Sequence, residues 1–265
     1  GPSTGMPTKM EQSDLLQAVH GRNSDARIPV IAAQDPADCF ECAFEAARIA
    51  MKYMTPVILL TDGYLGQGSG PWKIPDPKNL PEIEVSHPGP EDRGEDKFLP
   101  YTRDENETRP WALPGTAGLE HRIGGLEKEN ITGMVSQDPA NHQLMTDIRA
   151  RKVDNIKQEI PPSELHGEPK GKLLVLGWGS THGAIHVAIA RALAKDQSVS
   201  QLHLRWVSPF PSDLKAICDD FDEILIPEVN SGQLALLLKG ELARPIHQLN
   251  IVRGEPFRAS EIEDK

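Results

Sequence analysis

The sequence predicts an open α/β protein in two parts, and three observations carry that reading. Short apolar runs alternate with stretches of helical periodicity at both ends of the chain. Asp-Pro stands twice, at Asp35-Pro36 and Asp138-Pro139, each time ahead of a long helical pattern. Between them, from Gly66 to about Gly133, proline, glycine and charge dominate and no periodicity survives.

Taken in order, the chain opens on Gly1-Pro2-Ser3-Thr4-Gly5-Met6-Pro7-Thr8. Two glycines and two prolines exclude a helix or a central strand there. The result is a pre-shaped loop that presents the hydroxyls of Ser3, Thr4 and Thr8. Glu11 to Val19 reads as a short helix, and Ile28 to Ala33 as a buried strand. Asp35, as N-cap with Pro36 behind it, starts a helix that runs to about Tyr53. Glu41, Glu45, Arg48 and Lys52 fall on one stripe of that helix and leave Cys42, Ala46, Ile49 and Ala50 for the core. Pro56 to Leu60 is a second buried strand, so this first part has the β-α-β grammar of a parallel sheet.

After the irregular connector, a helix follows Asp138 from Ala140 to about Glu159, where Pro161-Pro162 stops it. Strands then read at Leu173–Leu176, Leu202–Val207, Ile224–Ile226 and His247–Val252. Helices read at His182–Lys195, Asp213–Asp220 and Gln233–Leu242. This alternation is that of an open, doubly wound sheet.

The 265 residues carry a net charge of −11 and 38% apolar side chains. The charge argues against nucleic acid and against anionic membrane surfaces, both of which demand a basic face. No Lys/Arg cluster stands out in the sequence, and no apolar run approaches the ~20 residues of a membrane span. Three cysteines are too few and too oddly spaced for a disulfide framework, which fits a reducing, cytoplasmic setting.

Four motifs invite chemistry. Cys39-Phe-Glu-Cys42 has redox spacing, but both cysteines fall on the apolar side of their helix and read as packing. Gly177-Trp-Gly-Ser-Thr-His-Gly183 lies between a strand and a helix, where dinucleotide folds hold a pyrophosphate. Its spacing departs from GxGxxG, and its other role is close strand–helix packing. His182 and His186 stand four apart, without a third ligand, as surface or interface histidines. Glu228-Val-Asn-Ser-Gly-Gln233 ends a strand and opens a helix, which suits either a ligand or a helix cap by Asn230 or Ser231.

The segment GPSTGMPTKMEQSDLLQAVHG resembles the α subunit of thiamine-diphosphate-dependent 2-oxoacid:ferredoxin oxidoreductases, in the 2-oxoglutarate branch. The resemblance continues through DCFECAFEAARIAMKYMTPVILLTDGYLG, GLEHRIGGLEKENITGMVSQDPANHQLM, LLVLGWGSTHGAI and ILIPEVNSGQL, in family order. It implies that residues 1–70 are the C-terminal half of a pyrimidine-binding domain and 71–133 a connector. Residues 134–265 would be a transketolase C-terminal-like domain. Thr8 matches a threonine that contacts the 2-oxoacid, with Ser3 and Thr4 shaping the pocket. His121 and Arg122, in the connector, would lie near the substrate's distal carboxylate.

The family's carboxylate-binding arginine and pyrimidine-activating glutamate belong before Gly1, so the chain reads as a C-terminal fragment, inactive alone. The resemblance implies thiamine diphosphate and Mg2+ at a subunit interface with a β subunit, and an iron–sulfur cluster in that partner. Ferredoxin, 2-oxoacid and CoA would be the partners and substrates of the complete enzyme. Acidic ferredoxins would dock mainly on another subunit, given the charge of this one. The competing reading is a non-catalytic nucleotide-binding module built on Gly177–Gly183.

Overall fold

The computed structural model describes residues 9–95 and 97–265. The first part builds a small sheet. Strand β1 (Val30–Ala32) pairs in parallel with β2 (Ile58–Leu60), and helix α2 (Asp38–Tyr53) crosses between them. It is preceded by a short helix α1 (Leu15–His20) and followed by α3 (Gly63–Gln67). Helix α2 begins later than its Asp-Pro signal indicates. Asp35 accepts the Asp38 N–H at 2.9 Å, but Pro36 and Ala37 form a turn, and the helix proper starts at Asp38. Cys42 is fully buried with Ile31, Ile49 and Tyr53, and Cys39 packs at the edge of the same cluster. All three cysteines are free thiols.

The connector is largely irregular, with two 3₁₀ turns at Pro77–Asn79 and Pro90–Arg93 and two isolated bridges. Leu119 and Phe98 are buried within it, whereas Ile123 and Leu126 stand exposed. Helix α4 (Pro139–Asn155) is capped by Asp138, whose carboxylate accepts the N–H groups of Ala140 and Asn141 at 3.2 Å. A 3₁₀ turn at Ile156–Gln158 extends it, and Ile156 is buried against the first part of the chain.

The second part is a five-stranded sheet in the order β3 (Leu165–His166), β5 (Val199–Leu204), β4 (Gly171–Trp178), β7 (Phe221–Glu228), β8 (His247–Asn250). All neighbours pair in parallel except the edge strand β3. Helices α5 (His182–Leu193), α6 (Leu214–Asp219), α7 (Gln233–Leu242) and α8 (Ala259–Glu263) accompany the strands. The run 202–207, expected as one strand, is two. Strand β5 ends at Leu204, and β6 (Trp206–Ser208) leaves for the first sheet, where it pairs antiparallel with β1. Trp206 fills the core beside Ile31 and Tyr53, so the second part donates a strand to the first.

Candidate functional site

The two sheets meet along a seam at the C-terminal ends of their strands. On one side are Ala33, Thr61 and Asp62; on the other are Trp178-Gly179-Ser180 and Val229-Asn230. In a doubly wound sheet the ligand crevice lies at the switch point, here between the ends of β4 and β7. That crevice is filled by the chain itself. The Gln12 side chain donates to the Trp178 carbonyl at 2.7 Å and accepts the Val229 N–H at 3.0 Å. Its backbone N–H donates to the Val229 carbonyl at 3.0 Å, and its carbonyl accepts Asn230 Nδ2 at 2.9 Å. Gln12 is 3% exposed, so all four bonds are shielded from water.

A buried carboxylate supports this arrangement. Glu228, fully buried, accepts from Trp178 Nε1 at 3.1 Å, Asn230 Nδ2 at 3.0 Å, Leu234 N at 2.8 Å and Ala235 N at 3.1 Å. It thereby satisfies two free N–H groups in the first turn of α7. Asn230 Oδ1 accepts the Gly232 and Gln233 N–H groups at 2.7 and 3.0 Å. The Glu228–Gln233 motif is therefore a helix cap. Gln233 reaches back to Ser13 O at 2.8 Å and accepts Leu16 N at 3.0 Å, fixing the segment from its other side.

The glycine-rich turn serves close packing. A Cβ on Gly177 would stand 2.4 Å from Ile185 Cδ1, and one on Gly179, at φ +56°, would stand 2.9 Å from Gln12 Nε2. Gly179, Ser180 and Thr181 are buried in a 3₁₀ turn, and the Ser180 hydroxyl donates to Asp62. Asp62 also caps α3 through the Tyr64 and Leu65 N–H groups. Gly177 and Gly179 thus serve close packing, the other role the sequence offers for this turn.

Four histidines form a row beside this turn. His166 lies 4.4 Å from His186, His186 5.8 Å from His182, and His182 4.8 Å from His203 between ring centres. Both ring nitrogens of His203 are buried without a hydrogen-bond partner. Burial, then His182 and Arg205, hold its pKa well below the usual imidazole range. Burial, then His186, also lowers His182, against the pull of Asp35 and Asp38. Sequence spacing found His182 and His186; the fold adds the other two. Arg205 pairs with the buried Asp38, whose other oxygen accepts Gln34 N at 3.0 Å and the Cys42 thiol at 3.4 Å.

Of the sequence candidates, Ser3, Thr4 and Thr8 lie outside the described residues. The residue after Thr8 is placed closely: a Cβ on Gly63 would stand 2.6 Å from the Lys9 carbonyl oxygen. Met10 is buried and donates its N–H to Gly254 O at 3.3 Å. His121 packs edge-on to Phe98 at 5.4 Å and engages the Leu119 carbonyl at 2.8 Å, while Arg122 is exposed.

The architecture is that of a mixed α/β chain in which a small parallel sheet and a doubly wound sheet share one seam of strand ends. Residues 1–138 match the family described as pyruvate flavodoxin/ferredoxin oxidoreductase, thiamine diphosphate-binding, and the chain belongs to that family. It is 47% identical to the 2-oxoglutarate oxidoreductase subunit KorA of Mycobacterium tuberculosis, over 99% of this chain and 40% of the relative. It is 30% identical to the α subunit of 2-oxoacid:ferredoxin oxidoreductase 2 of Aeropyrum pernix, over 99% of this chain and 41% of the relative. The chain thus spans about two fifths of the length of these relatives. A solved structure of 2-oxoglutarate:ferredoxin oxidoreductase from Magnetococcus marinus, with 2-oxoglutarate, coenzyme A and succinyl-CoA bound, superposes with a TM-score of 0.90. That match has 32% identity and covers 100% of this chain and 46% of the solved one.

The matched family is described as thiamine diphosphate-binding. No group of three or more His, Cys, Asp or Glu side chains among the described residues is placed to hold a metal ion. The cavity at the seam, about 30 Å³, has room for a water and not for a thiamine ring. No described helix is long and apolar enough to cross a membrane.

Proposed function

We propose that this chain is the part of an α subunit that carries the substrate loop and one wall of the thiamine site in a 2-oxoglutarate:ferredoxin oxidoreductase. The assembled enzyme would convert 2-oxoglutarate and CoA to succinyl-CoA and CO2, passing two electrons to ferredoxin. The observation that supports this most is the continuity of the likeness, which runs through both sheets, the connector and the seam within single subunits of such enzymes.

In this reading Thr8 donates a hydrogen bond to the oxoacid, and Ser3 and Thr4 shape the pocket around it. His121 and Arg122 stand toward the distal carboxylate. Gln12, Gln233 and Asn230 hold the segment that follows the loop. Thiamine diphosphate, when bound, supplies the electron sink for decarboxylation. It would sit with Mg2+ at the interface with a β subunit that holds the iron–sulfur cluster. Ferredoxin would dock on the complete complex, in the cytoplasm. The division at 1–70, 71–133 and 134–265 belongs to the same reading.

The test is turnover of the assembled complex with 2-oxoglutarate, pyruvate and 2-oxobutyrate, followed by acyl-CoA formation and viologen reduction. The expected result is succinyl-CoA formation with 2-oxoglutarate preferred. No turnover of any 2-oxoacid would overturn the proposal.

A further inference from the structure

The net charge of −11 hides a cluster of cations that only the fold assembles. Helix α4 places Met145, Ile148, Arg149 and Lys152 on one face, at spacings of three and four. The connector brings Arg103 and Arg109 against that face, both guanidinium groups 5.3 Å from the centre of the Tyr101 ring. These side chains line a cavity of about 360 Å³ together with Met54, the residue after the last turn of α2.

The charges there are unbalanced. Five cations line the cavity: Arg103, Arg109, Arg149, Lys152 and Lys128. Two carboxylates face them, Glu107 and Glu127. Lys128 is spent on the Gly124 and Leu126 carbonyls. Glu107 is engaged by Arg151, outside the cavity lining, at 2.7 Å. Glu127 pairs with His142 at 2.5 Å through one oxygen, and its other oxygen is buried without a partner. Arg103 bonds Tyr101 O at 3.0 Å and Asn130 Oδ1 at 2.6 Å, both neutral. Arg149 bonds the Thr146 hydroxyl at 3.2 Å, and Lys152 bonds the Met54 carbonyl at 3.3 Å. Among the described residues, none of Arg103, Arg109, Arg149 and Lys152 forms an ion pair.

Four converging cations outnumber the two carboxylates beside them, both of which are paired elsewhere, and a bound anion relieves their mutual repulsion. We propose that this cavity binds a phosphoryl group, held by Arg103, Arg109, Arg149 and Lys152. Guanidinium forks match phosphate oxygens two at a time, and Lys152 adds a point charge. The site is separate from the seam of strand ends. Helix α2 starts at that seam and ends at Met54, and its 16 residues span about 24 Å. Burial, with Arg103, Arg109 and Arg149 adding to it, lowers the Lys152 pKa to about 8. Affinity should therefore fall as pH rises through that value.

The test reads binding and not turnover, so it stands apart from the proposed oxoacid reaction. Inorganic phosphate, ADP and coenzyme A are titrated by calorimetry into the purified protein at low salt, and into Arg149→Gln, Lys152→Met and the control Arg191→Gln. The expected result is saturable phosphate binding, at least tenfold weaker in the first two variants and unchanged in the control. Competition by coenzyme A and not ADP marks the coenzyme as the source of the phosphoryl group. Competition by ADP marks a nucleotide, and binding of phosphate alone marks the free ion; each carries the site. Arg149 is exposed, so its variant folds even where the Lys152 variant does not. Absence of saturable binding, or equal binding by wild type and Arg149→Gln, overturns the proposal.

Discussion

Glu228→Gln tests the architecture at its most concentrated point. The Oε1 atom of Glu228 takes three donors, from Trp178, Asn230 and Leu234, and Oε2 takes the Ala235 N–H. An isosteric amide keeps the three bonds at one atom and turns an N–H2 toward the Ala235 N–H, so one charge-assisted bond is replaced by two facing donors. Such a bond contributes about 1.5–3 kcal/mol. The negative charge set against the first turn of α7 adds about 0.3–2 kcal/mol. Some of this is returned, because an amide is easier to bury than a carboxylate. The net loss should be about 1–4 kcal/mol, or roughly 3–12 °C in Tm for a chain of this size. Urea denaturation with an unchanged m-value is the assay, with the exposed Glu255→Gln as control. A loss below about 0.5 kcal/mol would refute the view that this carboxylate anchors α7 and, through Asn230, the segment at Gln12.

The cysteines and histidines give two further expectations. The double variant Cys39→Ala/Cys42→Ala should lose about 1–3 kcal/mol through the cavity it leaves, measured by the same denaturation. Neither native thiol should react with a disulfide reagent at pH 8, because burial and then Asp38 raise both thiol pKa values; rapid reaction would contradict that. His203 and His182 bind protons less readily folded than unfolded. The unfolded chain, with imidazoles near about 6.5, therefore takes up more protons as pH falls. Stability contributed by neutral His203 is complete above that value and declines below it. His203→Phe should flatten the slope between pH 7 and 5, and an unchanged slope would contradict the assignment.

Much of the fold was legible because its signals are local. Asp138 caps α4 as its dipeptide announces, and Gln233–Leu242 is helical at the expected bounds. What was illegible depends on distant partners. Nothing within residues 202–207 says that the run must change sheets at Arg205, since both halves are equally apolar and only β1 across the seam decides it. Gln12 carries no motif, yet its side chain joins two loops more than 160 residues away. The cation cluster escapes for the same reason: Arg103 and Arg109 stand in an aperiodic connector, and α4 supplies the other face. The Glu228–Gln233 motif was ambiguous between ligand and cap, and the four donors on one buried carboxylate resolve it.

Thr8 carries the central claim, that the opening loop of this chain faces a reacting 2-oxoacid. The measurement is kcat/KM for 2-oxoglutarate in the assembled enzyme, with wild-type chain and with Thr8→Val. Loss of a hydroxyl that binds the oxoacid should cost about 1–3 kcal/mol, a fall of roughly 5- to 150-fold, with Tm barely moved. Unchanged kcat/KM, with 2-oxoglutarate turned over at the wild-type rate, would make the loop a turn and contradict the account.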